Sequence, residues 1–210
     1  MTPDDAAREG LLTSRAAYGA RVESLGMTTW PQNRTAPQPD VAIRPACPGD
    51  GPALAVIMAT RGGTPSDHAP AAHWLLDQAP VLVVAEIALP EGPEVVGWSG
   101  ATQTPLHPGG PAQWLTAGLT VDPAFRRRGI GRRLLQAVIE DVGALHGDAL
   151  HSVVDARNAP SLALHHSLGF TTLETGPCLA GIEFDGGVGV LLTRPTGVSA
   201  QPRQVLTLRP

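Results

Sequence analysis

The residues best placed to do chemistry lie in "RRRGIG", Arg126 to Gly131, where three arginines precede two glycines in a 210-residue chain of net charge -4 at pH 7. All 15 basic residues are arginine, and five of them fall between Arg126 and Arg133. The strand-like "LTV" ends just before this cluster, and helical periodicity begins at Gly129. The first amides of a helix lack partners within it, and the aligned peptide dipoles put about half a positive charge at that end. Glycines admit positive φ and let an anion reach the backbone without meeting a Cβ. Strand, glycine loop and helix therefore make an anion site, to which Arg126, Arg127, Arg128 and Arg132 add charge-assisted hydrogen bonds for phosphate oxygens. With no lysine there is no Walker-type P-loop, and Leu134 stands where a dinucleotide fingerprint has its third glycine. The plain alternative is an exposed basic turn at a helix start.

Two further positions could move protons. His165 lies three residues after Leu162 and three before Leu168, on the inward side of a short helix. Glu86 interrupts the apolar run "VLVVAEIAL", and a carboxylate there either faces a cleft or points outward from an edge strand. Cys47 and Cys178 have neither metal-type spacing nor a disulfide framework, so both are expected to be reduced and structural, with no metal site. The negative net charge and scarce aromatic residues disfavour nucleic acid as a partner.

The elements that must position these groups follow from apolar periodicity. Residues 1–40 read as a helix from about Pro3 to Leu25 and a Pro/Gln/Thr-rich linker. This N-terminal helical extension either covers the core or makes a contact between two copies in a homodimer. Residues 41–195 read as one α/β (α+β) domain and 196–210 as a C-terminal tail with an edge strand at "VLTLR". "VAIRPA" is the first strand, followed by a helix opened near Asp50, with that carboxylate as its N-cap, and a second helix from about Pro70 to Gln78. "VLVVAEIAL", "EVVGWSGAT" and "QWLTAGLTV" are joined by short turns and make an antiparallel meander. From Gly129, residues Leu134, Leu135, Val138, Ile139, Val142 and Leu145 form one apolar helical stripe. A strand at "ALHSVVDA", a helix at "APSLALHHSL" and strands at "GFTTLET" and "GVGVLLTR" complete the core. No secretory h-region precedes the domain, and Val81 to Leu89 is too short to span a bilayer, so a cytoplasmic protein without membrane partners is expected.

"V-D-P-x-x-R-R-x-G-I-G-x-x-L" resembles the acetyl-CoA signature of the GCN5-related N-acetyltransferase (GNAT) family, whose R/Q-x-x-G-x-G/A core falls on Arg126, Gly129 and Gly131. "VDARNAPSLALHHSLGF" resembles that family's second signature, an asparagine before a helix ending in Leu-Gly-Phe. The resemblance implies a mixed central sheet of six to seven strands with about four flanking helices. It also implies acetyl-CoA as co-substrate and an amine as acceptor. On that basis Leu119 and Val121 lie along the pantetheine arm, and Arg126, Arg127, Gly129, Ile130, Gly131 and Arg132 hold the phosphates. Asn158 touches the cofactor or simply caps its helix. A main-chain amide near Val121 polarises the thioester carbonyl.

Many members carry a tyrosine seven residues after the asparagine that protonates the departing thiolate; here that position is His165. A neutral imidazole is a poorer acid than imidazolium, which leaves three options: a protonated His165, one that only hydrogen-bonds the sulfur, or a thiolate that leaves unprotonated. Relatives often place a base on the fourth strand, but Gln113 to Val121 contains no acid, leaving Glu86 as the candidate. The competing class of function is a non-catalytic acyl-CoA-binding or regulatory module on the same fold.

Overall fold

A computed structural model of the chain describes residues 40–90, 92–184 and 187–197. The helix expected from Pro3 to Leu25 and the strand expected at "VLTLR" lie outside the described residues. The main sheet begins with β1 (Val41–Pro45), β2 (Val81–Leu89), β3 (Gly92–Pro105) and β4 (Ala112–Val121), each antiparallel to the next. β4 then meets β5 (Ala149–Asp155) in parallel. β9 (Gly189–Pro195) inserts between β5 and β6 (Thr171–Gly176), antiparallel to both, giving the order β1-β2-β3-β4-β5-β9-β6. A short hairpin that periodicity did not predict, β7 (Cys178–Leu179) with β8 (Ile182–Glu183), stands apart from this sheet. Four helices, α1 (Gly51–Ala59), α2 (Pro65–Gln78), α3 (Ile130–Ala144) and α4 (Ala159–Ser167), complete the described residues. The expected mixed sheet of six to seven strands with about four helices is therefore what the chain adopts.

Each face of the sheet has its own core. The α3 stripe buries Leu134, Leu135, Val138, Ile139 and Val142 against Val83, Ala85 and Ile87 of β2 and Val96 of β3. Leu145, expected to extend that stripe, is 51% exposed because α3 stops at Ala144. On the other face α1 and α2 bury Leu54, Ile57, Met58 and Leu75 against Val84, Trp98 and Ala117.

Three local expectations differ from the structure. α2 starts at Pro65 rather than near Pro70: the Thr64 hydroxyl accepts the Asp67 amide, the Asp67 carboxylate accepts the Thr64 amide at 2.7 Å, and Pro65 sits at the first helical position. Asp50 holds the N-cap position of α1, as expected, but its carboxylate makes no cap bond there. Its carboxylate accepts the Cys47 amide at 2.8 Å and two Arg44 nitrogens at 2.8 and 2.9 Å, and the hydrogen bonds from Arg44 hold it below the usual carboxylate range. Both cysteines are free thiols at the surface rather than packing residues.

Besides a register shift between Ala85 and Glu86 in the β2/β3 ladder, two irregularities shape the sheet. In the β3/β4 ladder Gly100 pairs with Gly118 and Ala101 with Thr116, so Ala117 is an extra residue on β4. In the β6/β9 ladder Thr172 pairs with Leu192 and Glu174 with Leu191, so Leu173 is skipped, 55% exposed. At the first bulge the backbone leaves no room for a side chain: a Cβ on Gly118 would come within 2.6 Å of the Trp98 ring, and Trp98 is only 4% exposed. Gly118→Ala is therefore expected to lower the unfolding free energy by about 1–3 kcal/mol through overpacking. The check is a lower urea midpoint at unchanged slope; an unaltered midpoint would mean that the ring yields without cost.

Candidate active site

The parallel pairing of β4 with β5 is brief. Trp114 meets Leu150 and Leu115 meets His151, and there the register ends. The Thr116 hydroxyl donates to the Ser152 hydroxyl at 2.8 Å across the fork. Beyond it the strands part, one running to Val121 and the other to Asp155. The Ala117 bulge accounts for the parting, because an extra residue bends its own strand and increases the local twist. The buried Ser99 hydroxyl donates to the Gly118 carbonyl at 2.8 Å and stabilises the bent backbone. The resulting cleft is lined by Gly118 and Leu119 of β4, Val153 to Asp155 of β5, Asn158, Ser161 and His165 of the α4 segment, and Ile182 and Phe184 beside β8. Arg61, in the loop after α1, also lines the cleft and donates to the Leu119 carbonyl.

The arginine and glycine loop follows the free end of β4. Asp122 caps a single turn at Pro123–Phe125, its carboxylate accepting the Ala124 amide at 2.7 Å. Gly129 then opens α3 in the left-handed conformation, φ 76°, as its sequence position predicts, and no side chain caps the helix there. The first-turn amides thus face outward beside bare backbone, as an anion site requires. A Cβ on Gly131 would lie 3.5 Å from Leu164 and 3.8 Å from Val121, in ordinary van der Waals contact, so the start of α3 sits against the end of β4 and against α4.

The arginines differ from one another. Arg126 donates from Nε to the Val121 carbonyl at 3.0 Å, which pins the loop to the end of β4. Arg128 lies over the Phe125 ring at 5.3 Å, and Arg132 donates to the Ser167 hydroxyl at 3.0 Å. Arg127 is exposed and has φ 60°, an uncommon conformation for a side-chain-bearing residue. Ile130, by contrast, is 1% exposed, so only its main chain can serve a ligand. Leu119 and Val121 both pack against the α3 core, and of the two only Leu119 lines the cleft.

Asn158 is the N-cap of α4: its side-chain oxygen accepts the Ser161 amide at 3.2 Å, while the residue also lines the cleft. His165 is 3% exposed and lines the cleft from the inward side of that helix, as its spacing from Leu162 and Leu168 predicts. Its Nδ1 lies 2.8 Å from the Ser161 carbonyl oxygen. A carbonyl only accepts, so Nδ1 carries the hydrogen. The Phe170 ring packs against the imidazole at 5.0 Å between centroids, near edge-on at 73°. Burial pushes the His165 pKa down, outweighing the opposing effect of the Ser161 hydrogen bond.

Glu86 is held elsewhere. Arg44 of β1 donates to it from Nε at 2.8 Å and from a terminal nitrogen at 2.6 Å, and it is absent from the cleft lining. The acid that does line the cleft is Asp155, 7% exposed. Its oxygens accept the Arg157 amide at 2.8 Å and the Arg157 guanidinium at 2.7 Å, and the guanidinium holds its carboxyl below the usual range. Sequence reasoning missed Asp155, Ser161 and Arg61. Asp155 and Ser161 had findable signals: the local D-x-R turn and the four-residue spacing from His165. Arg61 reaches β4 across 58 residues of chain, which no local pattern announces.

Residues 56–170, just over half of the chain, match the model of the acetyltransferase (GNAT) family. The chain is 36% identical over 64 residues to an L-methionine sulfoximine/L-methionine sulfone acetyltransferase of Salmonella typhimurium, covering 30% of this chain and 37% of that protein. It is 34% identical over 79 residues to the N-alpha-acetyltransferase RimI of Mycobacterium tuberculosis, covering 38% of this chain and 47% of that one. The matches thus span between 22% and 47% of the curated relatives' lengths. Among solved structures, a Salmonella typhimurium protein with its cofactor acetyl-CoA superposes with TM-score 0.58 at 21% identity, over 78% of this chain and 98% of the other. A ribosomal-protein-alanine N-acetyltransferase from Brucella melitensis superposes with TM-score 0.57 at 25% identity, over 73% and 99%. The forked strands, the uncapped glycine-opened helix and the matched family model agree: the chain belongs to the GNAT acetyltransferase family.

Proposed function

We propose that the protein transfers the acetyl group of acetyl-CoA to a primary amine of a small molecule or peptide, by direct attack of the amine on the thioester in a ternary complex. One observation carries the reading: β4 leaves β5 after Leu115, and its end at Val121 lies beside the uncapped start of α3, 3.8 Å from the Cβ position on Gly131. Past Leu115, β4 has no strand partner among the described residues on its β5 side, so a pantetheine arm would add along this edge, taking the Leu119 carbonyl over from Arg61. Leu119 and Val121 supply that edge. The amides of Ile130, Gly131 and Arg132, with Arg126 and Arg127 beside them, suit the diphosphate. Asn158 borders the same space. An amide near Val121 would polarise the thioester carbonyl as an oxyanion donor does.

The acceptor class draws on the relatives, whose names specify an amino-acid-like amine in one case and protein N-termini in others. The segment from Arg61 to Trp74, which runs into α2, and the loop between β3 and β4 carry histidines and prolines rather than an acidic cluster, which disfavours a polycationic acceptor. Two surface thiols suit a reducing compartment, and a cytoplasmic setting is part of this reading.

The decisive experiment is release of free thiol from acetyl-CoA in the presence of amino acids, short peptides with free N-termini and simple amines. Release with at least one of these is expected. Tight acetyl-CoA binding without release for any amine would favour the non-catalytic module instead. A second measurement addresses the loop: Gly129→Val puts a branched residue into the left-handed conformation at a cost of about 1–2 kcal/mol. The dissociation constant for acetyl-CoA should then rise about tenfold. An unchanged constant would remove Gly129 from the phosphate site.

A further inference from the structure

We infer that His165 is a two-stroke proton carrier: its Nε2, bare in the resting protein, takes the proton shed by the attacking amine and then returns it to the departing thiolate. The inference rests on the acetyl-transfer reading above and names the group that does its proton chemistry.

Three observations lead to it. First, the resting tautomer is fixed by geometry. Nδ1 donates to the Ser161 carbonyl at 2.8 Å, so in the neutral ring Nε2 holds a lone pair and has no hydrogen to give. A ring in that state cannot begin the reaction as an acid. Second, both hydrogen bonds found for the ring, to the Ser161 carbonyl and the Ser161 hydroxyl, are made by Nδ1, so Nε2 is left for what enters the cleft. Third, the cleft offers no rival base. Glu86 is bound to Arg44 outside it, and Asp155 is clamped by Arg157. Among the described lining residues His165 is therefore the one group with an uncommitted lone pair of suitable basicity.

The charged groups around it do not force the ring to be cationic. Asp155 faces the cleft but is neutralised by Arg157, and Arg61 brings a positive charge from the loop after α1. On its own helix, His166 is exposed and bonds the Phe170 carbonyl through Nδ1 at 3.0 Å. Arg132 is tied to Ser167 and Arg194 to the Leu168 carbonyl near the helix end. Burial acts in the same direction as this arrangement, favouring the neutral ring.

The step balances with one proton. An acceptor arriving as ammonium first loses a proton to solvent. The nitrogen lone pair of the neutral amine forms the C–N bond to the thioester carbonyl carbon, and the nitrogen's excess proton passes to Nε2, giving imidazolium. The C–S bond breaks with its electron pair on sulfur. The imidazolium returns the proton to sulfur, leaving an amide, a free thiol and a neutral ring. A tyrosine, protonated at rest, can perform only the second half of this exchange.

The test compares wild type, His165→Gln and His165→Tyr at saturating acetyl-CoA and acceptor, with imidazole nitrogen NMR of the resting protein. The active form is the neutral ring, and burial lowers its pKa. Wild-type kcat should therefore hold as pH falls through the ordinary histidine value of 6.5 and decline only below it. His165→Gln should lower kcat by roughly 10²–10⁴-fold and abolish that acid limb, with acetyl-CoA binding unchanged. His165→Tyr restores a donor but no acceptor, so it should stay well below wild type near neutrality. NMR should show hydrogen on Nδ1 and none on Nε2. A protonated Nε2 at rest, or a His165→Tyr enzyme equal to wild type from about pH 6 to 8, would overturn the carrier and leave acetyl transfer standing. Absence of thiol release with every amine would overturn acetyl transfer itself, whatever the tautomer.

Discussion

The structure depends on one constraint: β4 and β5 must be neighbours at one end and strangers at the other. Hydrogen-bonded strands gain from every added pair, so ending the ladder after Leu115 requires a cause, and the extra residue at Ala117 supplies it. The bulge has its own requirements. Gly118 must lack a side chain because Trp98 occupies that space, and Ser99 must satisfy the Gly118 carbonyl. Trp98 in turn belongs to the core that α1 and α2 cover. The packing of one sheet face thus decides where a ligand-sized opening appears within the sheet.

Much of this could be read in the sequence, for identifiable reasons. The α3 stripe is a strong periodic signal, and Gly129 stands where the strand-to-helix turn needs a left-handed residue, so both element and loop were legible. The helix with His165 on its inward face was legible from Leu162 and Leu168. What escaped depended on partners distant in the chain. Arg44 binds Asp50 and Glu86 together, which turned an expected helix cap and an expected base into parts of one ion cluster. Arg61 reaches Leu119 from another element. The β7/β8 hairpin is too short for periodicity to register, yet it brings Ile182 and Phe184 to the cleft wall.

His165 shows how a motif can be matched in position and changed in chemistry. A phenol with a pKa near 10 is a proton donor at rest, and an imidazole bonded through Nδ1 to a carbonyl is an acceptor at rest. Ser161 fixes that difference through its main chain, one helical turn away, so the identity of its side chain matters less than the helix that holds its carbonyl. The cap at Asn158 starts the helix that holds this carbonyl.

The skipped residue on β6 has a bearing on how copies of this chain meet. Among the described residues β6 is an outer strand whose first five residues are all exposed, and a flat outer strand is a template on which another chain can add. Leu173 breaks the ladder in mid-strand and puts a kink into that edge. A neighbouring molecule offering a straight strand would lose register at the kink, so the sheet resists growth by edge addition on this side.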